Sequence, residues 1–395
     1  MPTVAILQRI LPHYRLAFFR RLHQQLQLHD IGLKLMYGQE RRGAVPRTVH
    51  LDEPWAIRVE NSYWSFGSQE LVWQPALRYL PGVDAVIVEQ ANRLLINHYL
   101  LLRRRLNKGP RLAYWGHGQN LQAENSHSAG ECLKRRLSSH VDWWFAYTTL
   151  SADIAAKTGF PKERITTVQN TIDLREFLAA KEITNEADRV ALKASLGIKS
   201  NNVCLYCGGI YSDKRMPFLL EACSKIKVRL PDFEMIIVGD GPDRHLIETA
   251  AETRPWLHYI GPKYGADRVP YFLISKALLM PGLVGLAVVD SFVAGTPLFT
   301  TDLSMHGPEI AYLTNGVNGV IATNTTDAYA DAVIEYLNCE SMQASLQRGC
   351  LESASKYSLE NMINNFTCGV RDWLADQSAT ADARMSSCVS CISQL

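Results

Sequence analysis

The sequence predicts an α/β protein built from two doubly wound domains in series. Its 395 residues exceed the size at which one hydrophobic core stops growing, so two domains of ordinary size are expected. Short apolar runs of strand length alternate with longer stretches of helical period, the pattern of parallel sheets covered by helices on both faces. The alternation runs once through the first half, stops at a charged, Ala-rich stretch, and starts again.

In the first half, strands are expected at Thr3–Leu7, Gly32–Tyr37, Ala85–Glu89, Arg111–Trp115 and Trp143–Tyr147, with helices at Arg15–Gln27, Ala91–Leu106 and Ser151–Thr158. A strand and turn over Ile165–Asp173 closes this half. The helical segment Leu174–Leu196 reads as a linker, which sets a first domain at 1–172, a linker at 173–196 and a second domain at 197–357. There the strands are Asn202–Gly208, Glu234–Gly239, Leu257–Ile260, Ala277–Met280 and Leu298–Thr301, and the helices Met216–Val228, Asp243–Thr253, Val288–Ala294 and Thr326–Tyr336. A last helix over 358–374 is expected to pack back on the first domain, ahead of a Ser-, Ala- and Cys-rich tail at 375–395 expected to be disordered. Doubly wound domains take ligands at the carboxyl ends of their strands, so two such domains facing each other across a cleft would bind there.

Composition fits a globular protein, with 47% apolar and 20% charged residues. Nine scattered cysteines argue against a disulfide framework and for a reducing, cytoplasmic compartment. Cys204 and Cys207 have the spacing of a metal or redox pair, but they sit in the apolar run Val203–Cys207 with no second pair, so buried strand residues are expected there. Arg9, His13 and Arg15 interrupt any secretory leader at the N-terminus. Tyr271 to Val289 has the length of a membrane span and only Lys276 as a charge, yet Pro281, Gly282 and Gly285 make it strand, turn and helix start.

Net charge is +2, but residues 1–170 hold 22 Lys and Arg against 13 Asp and Glu, and the remainder 19 against 26. The first half is therefore basic, through Arg20-Arg21, Arg41-Arg42, Arg103-Arg104-Arg105 and Lys134-Arg135-Arg136. These clusters are either solvated helix faces or a surface for an anionic membrane or a phosphorylated acceptor. No nucleic-acid partner is expected.

Three strand-to-helix junctions in the second half carry chemistry. Gly208-Gly209-Ile210-Tyr211-Ser212-Asp213-Lys214-Arg215 follows one strand, and Val238-Gly239-Asp240-Gly241-Pro242 the next. Glycines there let a backbone approach a ligand and present amides to negative charge. Lys214 and Arg215 stand at a helix start, where the dipole disfavours cations unless an anion binds; a solvated helix terminus is the alternative. The third junction is Pro281-Gly282-Leu283-Val284-Gly285-Leu286-Ala287-Val288-Val289-Asp290, continuing to Gly295-Thr296-Pro297.

In this order and spacing the blocks resemble the retaining family 4 glycosyltransferases of group 1 type, which have the GT-B fold of two Rossmann-like domains. Asn170-Thr171-Ile172-Asp173 and the stretch from His306-Gly307-Pro308-Glu309 to Asn315-Gly316-Val317-Asn318-Gly319 are similar to the family as well. The likeness covers residues 165–325 well and the first half only in general pattern. It implies transfer of a sugar, with retention of configuration, from a UDP- or GDP-linked nucleotide sugar to a glycan, lipid-linked or other acceptor, with no cofactor.

The resemblance also implies roles for residues. Lys214, with Arg215, would neutralise the donor diphosphate, alongside the backbone of Gly208, Gly209, Gly239, Gly241, Gly285 and Leu286. Asp290 stands where the family has a glutamate for the ribose hydroxyls. Gly282 replaces the family's other glutamate, and Gly209 its usual arginine. Asp290 being one methylene shorter, the nucleotide is expected closer to this helix, with Gly282 leaving room for it. In the first half Tyr114-Trp115-Gly116-His117-Gly118 ends a strand, with two glycines leaving the imidazole uncrowded. His117 matches a family histidine that contacts the donor sugar; a loop histidine satisfied by its surroundings is the alternative. His13, Tyr14 and Arg15, in place of the family's glycine-rich loop, are expected on the acceptor side.

No Asp-x-Asp pair occurs, so fixed protein charge rather than a metal ion is expected to stabilise the leaving diphosphate. Hydrolysis would want two opposed carboxylates, and none is identifiable. The departures at Gly282, Asp290 and Gly209 keep open a catalytically silent nucleotide-sugar-binding scaffold, and the architecture a nucleotide-sugar epimerase.

Overall fold

The computed structural model describes residues 1–44, 48–67, 69–118 and 141–376. They form two compact units, Met1–Asn170 with the chain from Leu359 onward, and Thr171–Ser358. The expected tail beyond residue 376 and the basic cluster Lys134-Arg135-Arg136 lie outside the described residues.

The first unit is a parallel sheet in the order β3-β2-β1-β6-β7-β8-β9. Its strands are β1 Thr3–Gln8, β2 Gly32–Tyr37, β3 Ala56–Arg58, β6 Ala85–Glu89, β7 Arg111–Gly116, β8 Trp143–Ala146 and β9 Ile165–Thr167. Both faces are covered, which is why these strands are continuously apolar rather than alternating. On one face Phe18, Phe19 and Leu22 of helix Leu16–Gln27 pack with Phe366 and Trp373 of helix Leu359–Ala375 over Ile6, Ile87, Trp115 and Phe145. Phe366 stacks on Phe145 at 4.5 Å between ring centres and meets Trp115 edge-on at 5.1 Å. On the other face helix Leu95–Arg105 sends Ile96, Leu100 and Leu101 against Leu7, Val86, Val88 and Tyr114. An antiparallel hairpin, β4 Ser62–Phe66 with β5 Gln69–Trp73, stands apart from this sheet.

The second unit is a parallel sheet in the order β12-β11-β10-β13-β14-β15. Its strands are β10 Val203–Cys207, β11 Glu234–Val238, β12 Leu257–Gly261, β13 Ala277–Leu279, β14 Leu298–Thr301 and β15 Gly319–Ala322. Cys204 and Cys207 are buried free thiols on β10, and burial pushes each pKa up to about 12. Among the described residues no helix is long and apolar enough to cross a membrane; Tyr271 to Val289 is a helix end, β13, a loop and a helix start.

The segment expected as a linker, 173–196, is part of this unit. It forms helices Arg175–Ile183 and Glu186–Ser195, split where Asn185 caps the second: its side chain accepts from the Asp188 amide and Asp188 accepts from the Asn185 amide. Phe177 of the first helix meets Phe272 edge-on at 5.4 Å, so the segment is held to the core by packing. The chain passes between the units at 170–171 and 358–359.

In each unit the strand order reverses beside the first strand, between β1 and β6 and between β10 and β13. The loops leaving those strands therefore diverge and open a crevice at the carboxyl edge.

Candidate functional site

At the β10/β13 crevice the chain leaves β10 through Gly208 and Gly209 into a tight helical turn, Ser212–Lys214. Arg215 follows in left-handed conformation (φ 56°, ψ 50°), and helix Met216–Arg229 begins. A side chain with that backbone is strained, and such strain marks sites where direction matters more than local stability. The turn aims Lys214 inward rather than to solvent. Its ammonium donates to the Leu283 carbonyl at 2.5 Å and lies 3.9 Å from the Met280 sulfur. Lys214 is only 6% exposed, and burial pushes its pKa down to about 8 against the pull of the Asp213 and Glu309 carboxylates. The reading of Lys214 as a solvated terminus is thus excluded. Arg215 is engaged elsewhere: it bonds Asn324 at 2.7 Å and lies over the Phe218 ring at 4.2 Å.

The loop after β13 is built onto this turn. A Cβ on Gly282 would lie 2.3 Å from the Asp213 carbonyl and 2.7 Å from the Lys214 Cα. The space expected to admit a nucleotide at Gly282 is therefore filled by the Lys214 backbone, and no glutamate fits there. His306 secures the other side, accepting the Val284 amide on Nδ1 at 3.1 Å and donating from Nε2 to the Thr301 carbonyl at 2.7 Å. Those partners set the neutral tautomer, and burial lowers the His306 pKa, with the charges of Lys214 and Arg215 adding to the effect. Beyond the loop, a Cβ on Gly285 would meet nothing within 4 Å. Gly285 thus leaves open space just before Leu286, the cap of helix Ala287–Ala294.

Gly239 and Gly241 serve packing between loops, a role the sequence did not suggest. A Cβ on Gly239 (φ 155°) would meet the Gly208 carbonyl at 1.9 Å, and one on Gly241 the Ile210 carbonyl at 2.0 Å. Three of the glycine amides are used within the protein: Gly208 N–H bonds Val238 O at 3.0 Å, Gly239 N–H bonds Gly261 O at 3.0 Å, and Gly241 N–H bonds the Asp240 carboxylate at 2.8 Å. These residues let two loops pack backbone to backbone, and so hold the Lys214 turn in place.

Asp290 is 4% exposed and its two oxygens accept from Arg268 at 2.5 and 2.8 Å. Burial lifts its carboxyl pKa, with Arg268 pulling the other way. The expected open carboxylate for a ribose is thus the anion of a buried ion pair. Among the described residues no group of three His, Cys, Asp or Glu side chains could hold a metal ion.

In the first unit His117 is exposed, directly after β7, with its ring 4.5 Å from that of Tyr147. The loop carrying it is gripped by Gln90, whose carboxamide donates to Gly118 O at 3.0 Å and accepts Gly118 N–H at 2.9 Å. A Cβ on Gly116 would lie 2.6 Å from that of Gln90, so Gly116 is needed for the grip. His13 and Tyr14 are exposed, whereas Arg15 is 3% exposed. The Arg15 guanidinium bonds the Asn170 side chain at 2.6 Å and lies 4.8 Å from the Trp115 ring centre, within a box completed by Tyr14, Phe18 and Tyr147. Glu89, at the end of β6, accepts the Arg9 amide at 2.7 Å, and burial raises its pKa.

His306, Gln90, Arg268 and Glu89 were not singled out from the sequence. His306 alone had a signal there, its place in a family-like block; the others are assembled by topology.

Residues 201–339 match the family described as Glycosyl transferases group 1. Alpha-D-kanosaminyltransferase of Streptomyces kanamyceticus is 26% identical over 193 residues, 45% of this chain and 48% of that protein. Phosphatidyl-myo-inositol mannosyltransferase of Mycolicibacterium smegmatis is 27% identical over 38% of this chain and 40% of its own length. The chain thus spans about half or less of the curated relatives it matches. Across nearly the whole chain the fold matches HepE of Anabaena, crystallised with UDP, at TM-score 0.67 and 14% identity, covering 94% of this chain and all of that one. The pneumococcal O-GlcNAc transferase GtfA, solved with UDP and GlcNAc, matches at TM-score 0.65 and 10% identity over 95% of this chain and 99% of that one. The chain carries a group 1 glycosyltransferase domain and has the GT-B fold, with two Rossmann-like domains.

Proposed function

We propose that this protein is a glycosyltransferase that moves a sugar from a nucleotide diphosphate donor to an acceptor hydroxyl, with retention of configuration and without a metal ion. The observation that carries the reading is the buried Lys214 ammonium at the switch point of a sheet inside the matched domain. A lysine whose charge is disfavoured by burial gains most from a diphosphate, and gains more as negative charge grows on the departing phosphate. The open space at Gly285 lies before a second helix start, that of Ala287–Ala294, where amide dipoles favour an anion. The family resemblance gives His117, on the loop held by Gln90, to the donor sugar, and His13 and Tyr14 to the acceptor side. The UDP found with HepE and with GtfA supports a uridine nucleotide as the first donor to try.

The acceptor is proposed to be a glycan or lipid-linked molecule met at an anionic membrane face. Helix Leu95–Arg105 and the residue after it expose Tyr99, Leu102 and Leu106 beside Arg103 and Arg105, an arrangement suited to lipid headgroups. Other basic residues are already paired, Arg21 with Glu360 and Arg104 with Asp142.

A second reading, a nucleotide-sugar-binding scaffold without turnover, draws on Gly282 and on the Arg268–Asp290 pair. Incubating the protein with a panel of UDP- and GDP-sugars, and following nucleotide release and products by mass spectrometry, separates the two. Binding of a donor with neither transfer nor slow hydrolysis would overturn the enzymatic reading.

A further inference from the structure

The second unit holds a cavity of about 820 Å³ at the edge of its sheet opposite to Lys214. It is walled by helix Glu186–Ser195, by the residues leading into β10 and by those leading into β13. Arg189, Lys193, Lys199 and Lys276 line it, against the single carboxylate of Glu186. Arg189 and Lys193 are four residues apart, so they share one face of that helix.

The partners of these cations leave positive charge uncompensated. Lys193 donates to the Ser200 carbonyl at 3.3 Å and to the Asn201 side chain at 3.0 Å, and Lys276 to the Asn202 side chain at 3.0 Å. All three acceptors are neutral. Arg189 reaches Glu186 only at 3.6 Å, and its Nε is buried without a hydrogen-bond partner. The Arg189 guanidinium therefore adds positive charge that the Glu186 carboxylate meets only at long range. The field extends beyond the cavity: Lys181, its pKa lowered first by burial, is lowered further by Arg189. Ile198 and Ile274 form a buried apolar floor, so the cavity combines anion donors with an apolar wall.

We propose that this cavity is a second anion site, which binds a phosphate-bearing ligand through Arg189, Lys193 and Lys199 and seats the ligand's less polar part on Ile198 and Ile274. Its volume is that of an ordinary small-molecule site and exceeds what a bare phosphate needs. The phosphate could be carried by a soluble phosphoester or by a lipid headgroup. Its location at the amino edge separates it from the donor crevice, so the inference does not depend on the glycosyltransferase reading.

The test is isothermal titration of pyrophosphate at fixed ionic strength into three full-length proteins: wild type, Lys214→Ala, and Lys193→Gln with Lys199→Gln. Glutamine keeps a donor for Asn201, and equal melting temperatures without ligand confirm folding. The paired change should weaken binding at this site about a hundredfold, taking roughly tenfold for each lost charge-assisted contact, while Lys214→Ala leaves the site intact. A wild-type isotherm in the paired variant, loss of all pyrophosphate binding in Lys214→Ala, or no binding by wild type overturns the proposal. Co-sedimentation with phosphatidylglycerol vesicles then separates the sources. Loss of sedimentation only in the paired variant assigns a headgroup, and unchanged sedimentation beside lost pyrophosphate binding assigns a soluble phosphate.

Discussion

Asp290→Asn is the most informative single change, because the structure and the family resemblance give this carboxylate different tasks. In the structure it neutralises Arg268 through two hydrogen bonds at 4% exposure. Removing one partner of a buried ion pair typically costs about 3–5 kcal/mol, most of it from the charge left behind. Asparagine can still accept one guanidinium hydrogen bond, which places the change toward the lower figure. At roughly 2–4 °C per kcal/mol for a domain of this size, the second unit should melt about 6–12 °C earlier. Replacing both partners, Asp290→Leu with Arg268→Met, should recover much of the loss, since no charge then remains buried. Differential scanning calorimetry reads these shifts, and a UDP titration of the same proteins reads binding. A melting temperature within about 2 °C of wild type, together with weakened UDP binding, would refute the reasoning: the carboxylate would then meet the nucleotide and owe little to Arg268.

Four further outcomes are expected. Lys214→Ala should abolish most turnover, and UDP affinity should fall as pH rises above about 8 in wild type but not in the variant, because the diphosphate needs the protonated amine. The same lowered pKa means that the unfolded chain holds more protons between pH 8 and the ordinary lysine value, so the ligand-free unit should gain stability with pH in that window, and Lys214→Met should lose the gain. Gly282→Ala forces backbone atoms at 2.3–2.7 Å to retreat by about 1 Å; it should cost about 1–3 kcal/mol and lower turnover on the order of a hundredfold, as melting and initial rates would show. Gln90→Ala frees the His117 loop, so turnover should fall while UDP affinity stays at the wild-type value.

Much of the fold was legible because central strands of a covered parallel sheet are unbroken apolar runs. Gly32–Tyr37, Ala85–Glu89 and Leu298–Thr301 end where the sequence says they do. The hairpin Ser62–Trp73 was not, since Ser-Tyr-Trp-Ser-Phe places two aromatics side by side and so breaks the strict alternation that marks a half-buried strand. Helix Glu340–Lys356 was missed because its outward face is polar and few of its residues are buried. The break at Asn185 has a local cause, the capping box, that a continuous charged helix conceals. For the site, the sequence reading took the glycines of these loops as ligand-approach residues, and the packing at three of them is of another kind. Gly239, Gly241 and Gly282 look alike as ligand-approach residues, and only the distances to Gly208, Ile210 and Lys214 reveal them as loop-to-loop contacts. Arg268 and Asp290 are far enough apart in sequence that no spacing rule joins them.

Helix Leu359–Ala375 has a consequence for how the chain is made. Phe366 and Trp373 fill the same core as Phe18 and Trp115, so the unit that is synthesised first lacks one wall until the end of the chain has left the ribosome. Thr171–Ser358 has all its own strands and helices by then, whereas Phe145 of the earlier unit still lacks the Phe366 and Trp373 rings that cover it. During that interval the newborn chain offers the part of the sheet face that Phe366 and Trp373 later cover to chaperones or to its neighbours on the same message.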